Sequence, residues 1–123
     1  RELMVMREEP RPKPAYVLRR GAYDQPMERV EPGFPSAIFA VDPALPKNRL
    51  GLARWLTDPR HPLTARVAAN RLWMQMFGRG LCATPENFGL LGHEPEHTAL
   101  LDHLASELVR RGWDQRALLR TLA

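Results

Sequence analysis

Pro62-Leu63-Thr64-Ala65-Arg66-Val67-Ala68-Ala69-Asn70-Arg71-Leu72-Trp73-Met74-Gln75-Met76-Phe77-Gly78 is the stretch on which the fold turns. Pro62 suits a first helical turn, where no backbone N–H is needed, and Gly78 with Gly80 supplies a stop, so a helix is predicted from Pro62 to about Phe77. At about 100° per residue, Leu63, Val67, Ala69, Trp73, Met74, Met76 and Phe77 share an arc of roughly two thirds of the circumference. That is too wide for a surface helix, so this one should be central and mostly buried. Arg66 and Asn70 fall inside the arc, four residues apart on one ridge, while Arg71 and Gln75 lie opposite. A guanidinium facing a core must find carboxylates or carbonyls, because leaving it unpaired costs several kcal/mol. Arg66 and Asn70 are therefore expected to tie the Pro-rich segment or the 78–92 loop to the bundle. The alternative is an anion or carboxylate site.

Working outward, a helix from Asn48 to Thr57 starts at a capping Asn, carries Leu52, Ala53 and Leu56 on one face, and ends at Asp58-Pro59. A third runs from Pro95 to Arg111, with Leu100, Leu101, Leu104 and Leu108 as its stripe and Gly112 as its stop; Asp114 caps a fourth. Thr84-Pro85-Glu86 reads as the cap of a short turn. Eight of the twelve prolines fall between Pro10 and Pro46, which excludes long helices there. Within the first third of the chain Leu3–Arg7 and Tyr16–Arg20 are short β-like runs able to pair as a small ribbon. From Val30 to Pro46 the chain reads as a draped linker whose Phe34, Ile38 and Phe39 tuck into the core. The expected fold is mainly α: an irregular bundle of about four helices at 48–123, cut short at its C-terminus, and a Pro-rich extended segment at 1–47 packing on it as one domain.

With 123 residues, 44% hydrophobic and 26% charged, the chain has a globular balance. Its net charge of +4 divides into +3 over residues 1–61 and +1 over 62–123, with no basic stripe, so charge does not point to nucleic acid. A helix-turn-helix built from the first two helices is further disfavoured by the burial expected for the second. Cys82 is the single cysteine, which excludes an internal disulfide and cannot by itself form a metal or haem site. No apolar run is long enough to span a bilayer. A start at Arg1 and an end at Ala123, inside an apolar-periodic stretch, read as a piece of a longer protein, with any export signal upstream.

His93-Glu94-Pro95-Glu96-His97 satisfies the H-E-x-x-H pattern of zinc metalloproteases. That chemistry needs both histidines on one helical face, and Pro95 would then sit inside the helix, against the carbonyl four residues back. Pro95 as the first helical residue, with His97 in the first turn, is the better reading, and no metal is expected. Trp55, Trp73 and Trp113 read as core anchors, Trp55 being partly exposed. Cys82 reads as a small buried hydrophobe, and Phe77 to Gly92, with its glycines, as a tightly turned loop.

Two ordered strings stand out: Arg20-Gly21-x-Tyr23-x-x-Pro26-x-Glu28-x-Val30-x-Pro32-Gly33-x-Pro35, and Asn48-Arg49-Leu50 leading into Pro62-Leu63-Thr64-Ala65-Arg66-Val67-x-x-Asn70-Arg71-x-Trp73. The pattern continues through Phe77-Gly78-Arg79-Gly80-Leu81, Thr84-Pro85-x-x-Phe88-Gly89 and His97 to Leu100-Leu101-Asp102. It resembles the planctomycete-type C-terminal domain of unknown function found in large multi-domain proteins with planctomycete cytochrome C domains. The resemblance implies an exported parent, periplasmic or extracellular, with sister domains as partners and haem on another domain, and it transfers no activity. Met27 stands where the pattern has Gly, which leaves the type of that turn open. The polar members Arg66, Asn70, Arg71, Tyr23 and His97 become the ligand-binding candidates, together with Arg20 as a position to inspect; no catalytic role is assigned. The expected function is a scaffold or interaction module. The rival is part of an enzyme or carbohydrate-processing assembly in which Arg66, Arg71, Tyr23 and His97 line a cleft for an anionic or sugar substrate.

Overall fold

The computed structural model describes residues 2–7, 9 and 13–123. Two strands, β1 (Ala15–Leu18) and β2 (Pro26–Val30), form an antiparallel ribbon, followed by four helices: α1 (Arg49–Leu56), α2 (Thr64–Phe77), α3 (Thr98–Arg110) and α4 (Gln115–Leu122). The chain is mainly α with N-terminal strands. The strand pairing differs from expectation. β1 pairs with β2, Ala15 opposite Val30 and Tyr16 opposite Arg29, while Leu3–Arg7 joins neither. The reversal at Arg20 and Gly21, at φ 50° and 77°, brings β2 back onto β1, the Arg19 N–H donating to the Gln25 carbonyl at 3.0 Å. Met27 lies within β2, so the turn never demands glycine there.

Each helix end has a local cause. Asn48 caps α1 by accepting the Gly51 N–H at 3.0 Å, and Asp114 caps α4 by accepting that of Ala117 at 3.0 Å. Gly78 ends α2 at φ 77°. After α3, the Trp113 N–H reaches the Leu108 carbonyl at 2.8 Å and the Gly112 N–H that of Val109 at 2.9 Å, with both residues left-handed. This paired closure holds Trp113 at φ 65°, an uncommon setting for a residue with a side chain.

Two of the predicted starts move inward. α2 begins at Thr64 because the ring of His61 does the capping: Nδ1 accepts the N–H groups of Leu63 (3.3 Å) and Thr64 (3.2 Å). Those groups can only donate, so Nδ1 carries the lone pair. α3 begins at Thr98, leaving His97 at its N-cap rather than in its first turn: its backbone, at φ −132° and ψ 73°, is not helical, and the Glu96 N–H before it donates to the Leu81 carbonyl at 3.0 Å.

The core joins α2, α3 and α4: Ala69 and Leu72 meet Leu101, Leu104, Ala105, Leu108 and Leu118, with Leu81 from the loop after α2. Burying each leucine contributes about 1.5–3 kcal/mol. α2 is less enclosed than its apolar arc suggested. Only Ala69, Asn70 and Leu72 are buried, and Met76 and Phe77 are exposed where the helix runs past its neighbours. The Pro-rich segment reaches the bundle through an aromatic cluster. Phe34 stacks on Trp55 at 6.2 Å, Phe39 approaches Trp55 and His61, and Trp55 meets His61 edge to face at 4.7 Å. Trp55 is 2% exposed, against the partial exposure expected of it, while Ile38 stays outside. Trp55 Nε1 and His61 Nε2, in this cluster, are buried without hydrogen-bond partners among the described residues.

Candidate functional site

Asn70, fully buried on α2, is bonded twice to one residue of the following loop. Its Nδ2 donates to the Cys82 carbonyl at 3.0 Å and its Oδ1 accepts the Cys82 N–H at 2.9 Å. A carboxamide is the neutral side chain that donates and accepts in one plane, so it pairs with extended backbone as another strand would. The loop beyond is fastened further. Thr84 Oγ1 accepts the His93 N–H at 2.9 Å and donates to the Asn87 carbonyl at 3.0 Å, and Asn87 Oδ1 accepts the Gly89 N–H at 3.1 Å. The buried Cys82 thiol donates to the His93 carbonyl at 3.2 Å. A metalloprotease-like helix at 93–97 is thus replaced by backbone held against residues 81–84. At the tip of this fastened loop, Leu90 and Leu91 stand at 106% and 94% exposure.

Arg66 makes a different connection from the one expected. Its Nε donates to Asp102 of α3 at 2.5 Å and its Nη1 to the Pro62 carbonyl at 2.5 Å, so it ties α2 to α3 and to its own entry, not to the Pro-rich segment or the 78–92 loop. The side chain is 38% exposed and separates two grooves. One, of about 510 Å³, is bounded by His61, Ala65, Ser106 and Arg110; the other, of about 430 Å³, by Leu63, Phe88, Leu90 and Pro95.

The remaining candidates do not converge on these grooves. Tyr23 is exposed in the turn of the ribbon, as is Arg20, Arg71 is exposed on the far side of α2, and His97 is exposed at the start of α3. Of the five, only Arg66 lines a groove, and Asn70 is sealed in the core. Asp102, the partner of Arg66, stands out in the sequence only as the last member of a pattern. Among the described residues no three His, Cys, Asp or Glu side chains gather as a metal site. With one cysteine, engaged with backbone carbonyls, the chain cannot supply a C-x-x-C-H haem attachment.

Three carboxylates are held below their ordinary range. Hydrogen bonding to Arg60 lowers Asp58 from 3.8 to about 2, and bonding to Arg110, then Arg111, lowers Glu107 from 4.5 to about 2, burial opposing each. Asp102 shifts the same way through Arg66, whose own pKa is raised. Between those limits the unfolded chain binds more protons than the folded one, so stability is complete above the unfolded values and is lost as pH falls toward 2. The stability that these carboxylates contribute should therefore begin to fall away below about pH 4.5, read as a lower melting temperature. The decline should be modest, because the Asp58 and Glu107 partners are exposed. Thermal melts of Glu107→Gln should show a shallower acid limb; an unchanged limb would rule Glu107 out as a contributor.

Among the described residues no helix is long and apolar enough to cross a membrane. Comparison with curated proteins and with solved structures gives no match. The family model PSD1, protein of unknown function (DUF1553), matches residues 48–123, the span from the Asn48 cap through all four helices and the Asn70-fastened loop. By that match, over more than half its length, the chain belongs to the PSD1 family of proteins of unknown function (DUF1553).

Proposed function

We propose that this chain is a non-catalytic scaffold or interaction module of an exported multi-domain protein, periplasmic or extracellular, and that Leu90–Leu91 is the contact it offers to a sister domain. The observation that carries this reading is the contrast between the loop and its tip. Five side-chain hydrogen bonds from Asn70, Thr84 and Asn87 fasten the loop, yet it presents two adjacent leucines wholly to solvent. A loop so ordered gives up little conformational freedom on docking, and two leucines supply an apolar anchor. Haem, in this reading, belongs to another domain of the parent.

A cleft for an anionic or sugar ligand would draw on the grooves beside Arg66. Its guanidinium is already bound to Asp102 and the Pro62 carbonyl, so such a ligand has to displace both.

The test is the double variant Leu90→Ser/Leu91→Ser. The chain by itself should melt at the wild-type temperature, since neither side chain is buried. Association with the rest of the parent polypeptide, supplied in trans, should weaken by about a hundredfold or more, each buried leucine being worth about 1.5–3 kcal/mol. Equal hydrogen exchange at residues 88–92 in the isolated chain and in the parent would refute the assignment.

A further inference from the structure

The ribbon holds a separate feature. Among the described residues β1 has β2 on one edge and no strand on the other. Tyr16, Val17 and Leu18 are all exposed. Two strands alone are marginal in water, and an open apolar edge is a template for a third. The same chain carries a segment of matching character: Leu3, Met4, Val5 and Met6 form an unbroken apolar run, in no strand or helix and 69–104% exposed. Charge matches as well. Glu2, after Arg1, precedes the run and Glu8 and Glu9, after Arg7, follow it, a net negative flank, whereas Lys13 precedes β1 and Arg19 and Arg20 follow it. Laid antiparallel, Leu3–Met6 beside Ala15–Leu18 sets Glu2 next to Arg19 and Glu8 next to Lys13.

We infer that the open edge of β1 takes the Leu3–Met6 segment of a second copy of this chain, and that reciprocal exchange builds a two-fold dimer with three strands on each side. The second copy is favoured over closure within one chain by the spacer. Pro10, Pro12 and Pro14 alternate through the eight residues between Met6 and Ala15. A proline fixes φ and disfavours helical backbone in the residue before it, so a sequence of this kind resists doubling back. Exchange of an identical segment satisfies both copies with one set of contacts. This surface is distinct from the Leu90–Leu91 tip, and the two assignments stand or fall separately.

Cross-linking decides it. Val17→Cys is combined with Met4→Cys or with Val5→Cys, the two neighbouring positions covering either register, and Cys82 is buried and does not compete. Mild oxidation should give a disulfide-linked dimer with at least one pair. A disulfide closed within the monomer would overturn the inference in favour of folding back, and no cross-link with either pair would overturn it outright. Without covalent trapping, light scattering across a concentration series should show a dimer. Val5→Pro should raise its dissociation constant by about tenfold or more, because proline removes a ladder donor. Val5 is exposed and in no strand, so at concentrations low enough to keep both proteins monomeric that variant should melt as the wild type does. A strictly monomeric wild type, or Val5→Pro dimers as tight as wild type, would likewise sink the exchange.

Discussion

Replacing Asn70 by alanine should lower the melting temperature by on the order of 10 °C, the loss being one of hydrogen bonding more than of packing. Asn70 is 0% exposed, and its carboxamide is the partner of both the N–H and the carbonyl of Cys82, at 2.9 and 3.0 Å. Truncation leaves two backbone groups enclosed and unpaired, at about 1–3 kcal/mol each. Together they are a large part of the 5–15 kcal/mol typical of a domain. Asn70→Asp separates the causes. It conserves volume and retains an acceptor for the Cys82 N–H, but sets a second oxygen against the Cys82 carbonyl. If the double hydrogen bond matters, Asp should be about as damaging as Ala at neutral pH, and amide exchange from Cys82 to Gly92 should quicken in both. A stable Asn70→Asp chain would mean that the carbonyl is not held by that side chain.

The helical half was legible because its signals are local. Asn48, Gly78, Gly112 and Asp114 stand at helix ends where capping chemistry puts them, and the stripe Leu101, Leu104, Leu108 is buried as its spacing requires. The inward turn of Asn70, read from its place on an apolar arc, is likewise in the structure. What escaped is set at a distance or by exceptions. Arg66 finds Asp102 thirty-six positions away, and nothing in the spacing of either announces it. An apolar arc shows which residues tolerate burial, not how far the neighbours extend, so Met76 and Phe77 remain outside. His61 lay outside every cap rule because a ring nitrogen replaces the usual hydroxyl or carboxylate oxygen. Leu3–Arg7 has the composition of a strand, but composition does not name a partner: β1 turns back through Arg20 and Gly21 onto β2, with Arg19 N–H donating to the Gln25 carbonyl at 3.0 Å. Of the five ligand-binding candidates, Tyr23, Arg71 and His97 were chosen as members of a pattern, and a pattern carries no information about convergence in space.

Gly80→Ala should be nearly as damaging as the loss of Asn70, although no backbone rule marks Gly80 out. Its φ is not in the left-handed region, unlike that of Gly78 at 77°. The constraint is crowding. A Cβ on Gly80 would come within 2.5 Å of the Cys82 carbonyl oxygen and within 2.8 and 2.9 Å of Nδ2 and Oδ1 of Asn70. Neither neighbour is the loose end of a flexible side chain: one is backbone, and the other is locked to that backbone by two bonds. The extra methyl group must push the pair apart, costing about 1–3 kcal/mol for overpacking and weakening the bonds as well. Gly78→Ala is the contrast, because open space surrounds its Cβ position. Only the left-handed backbone opposes alanine there, at about 1–2 kcal/mol. The cycle of Asn70→Ala, Gly80→Ala and the double variant tests the shared mechanism. Once the carboxamide is gone, the new methyl group displaces less and breaks nothing further, so the double variant should be more stable than the sum of the two losses predicts by about 1 kcal/mol or more. Strict additivity, measured by denaturant titration, would show that Gly80 is required for some reason other than the close approach of Asn70 and Cys82.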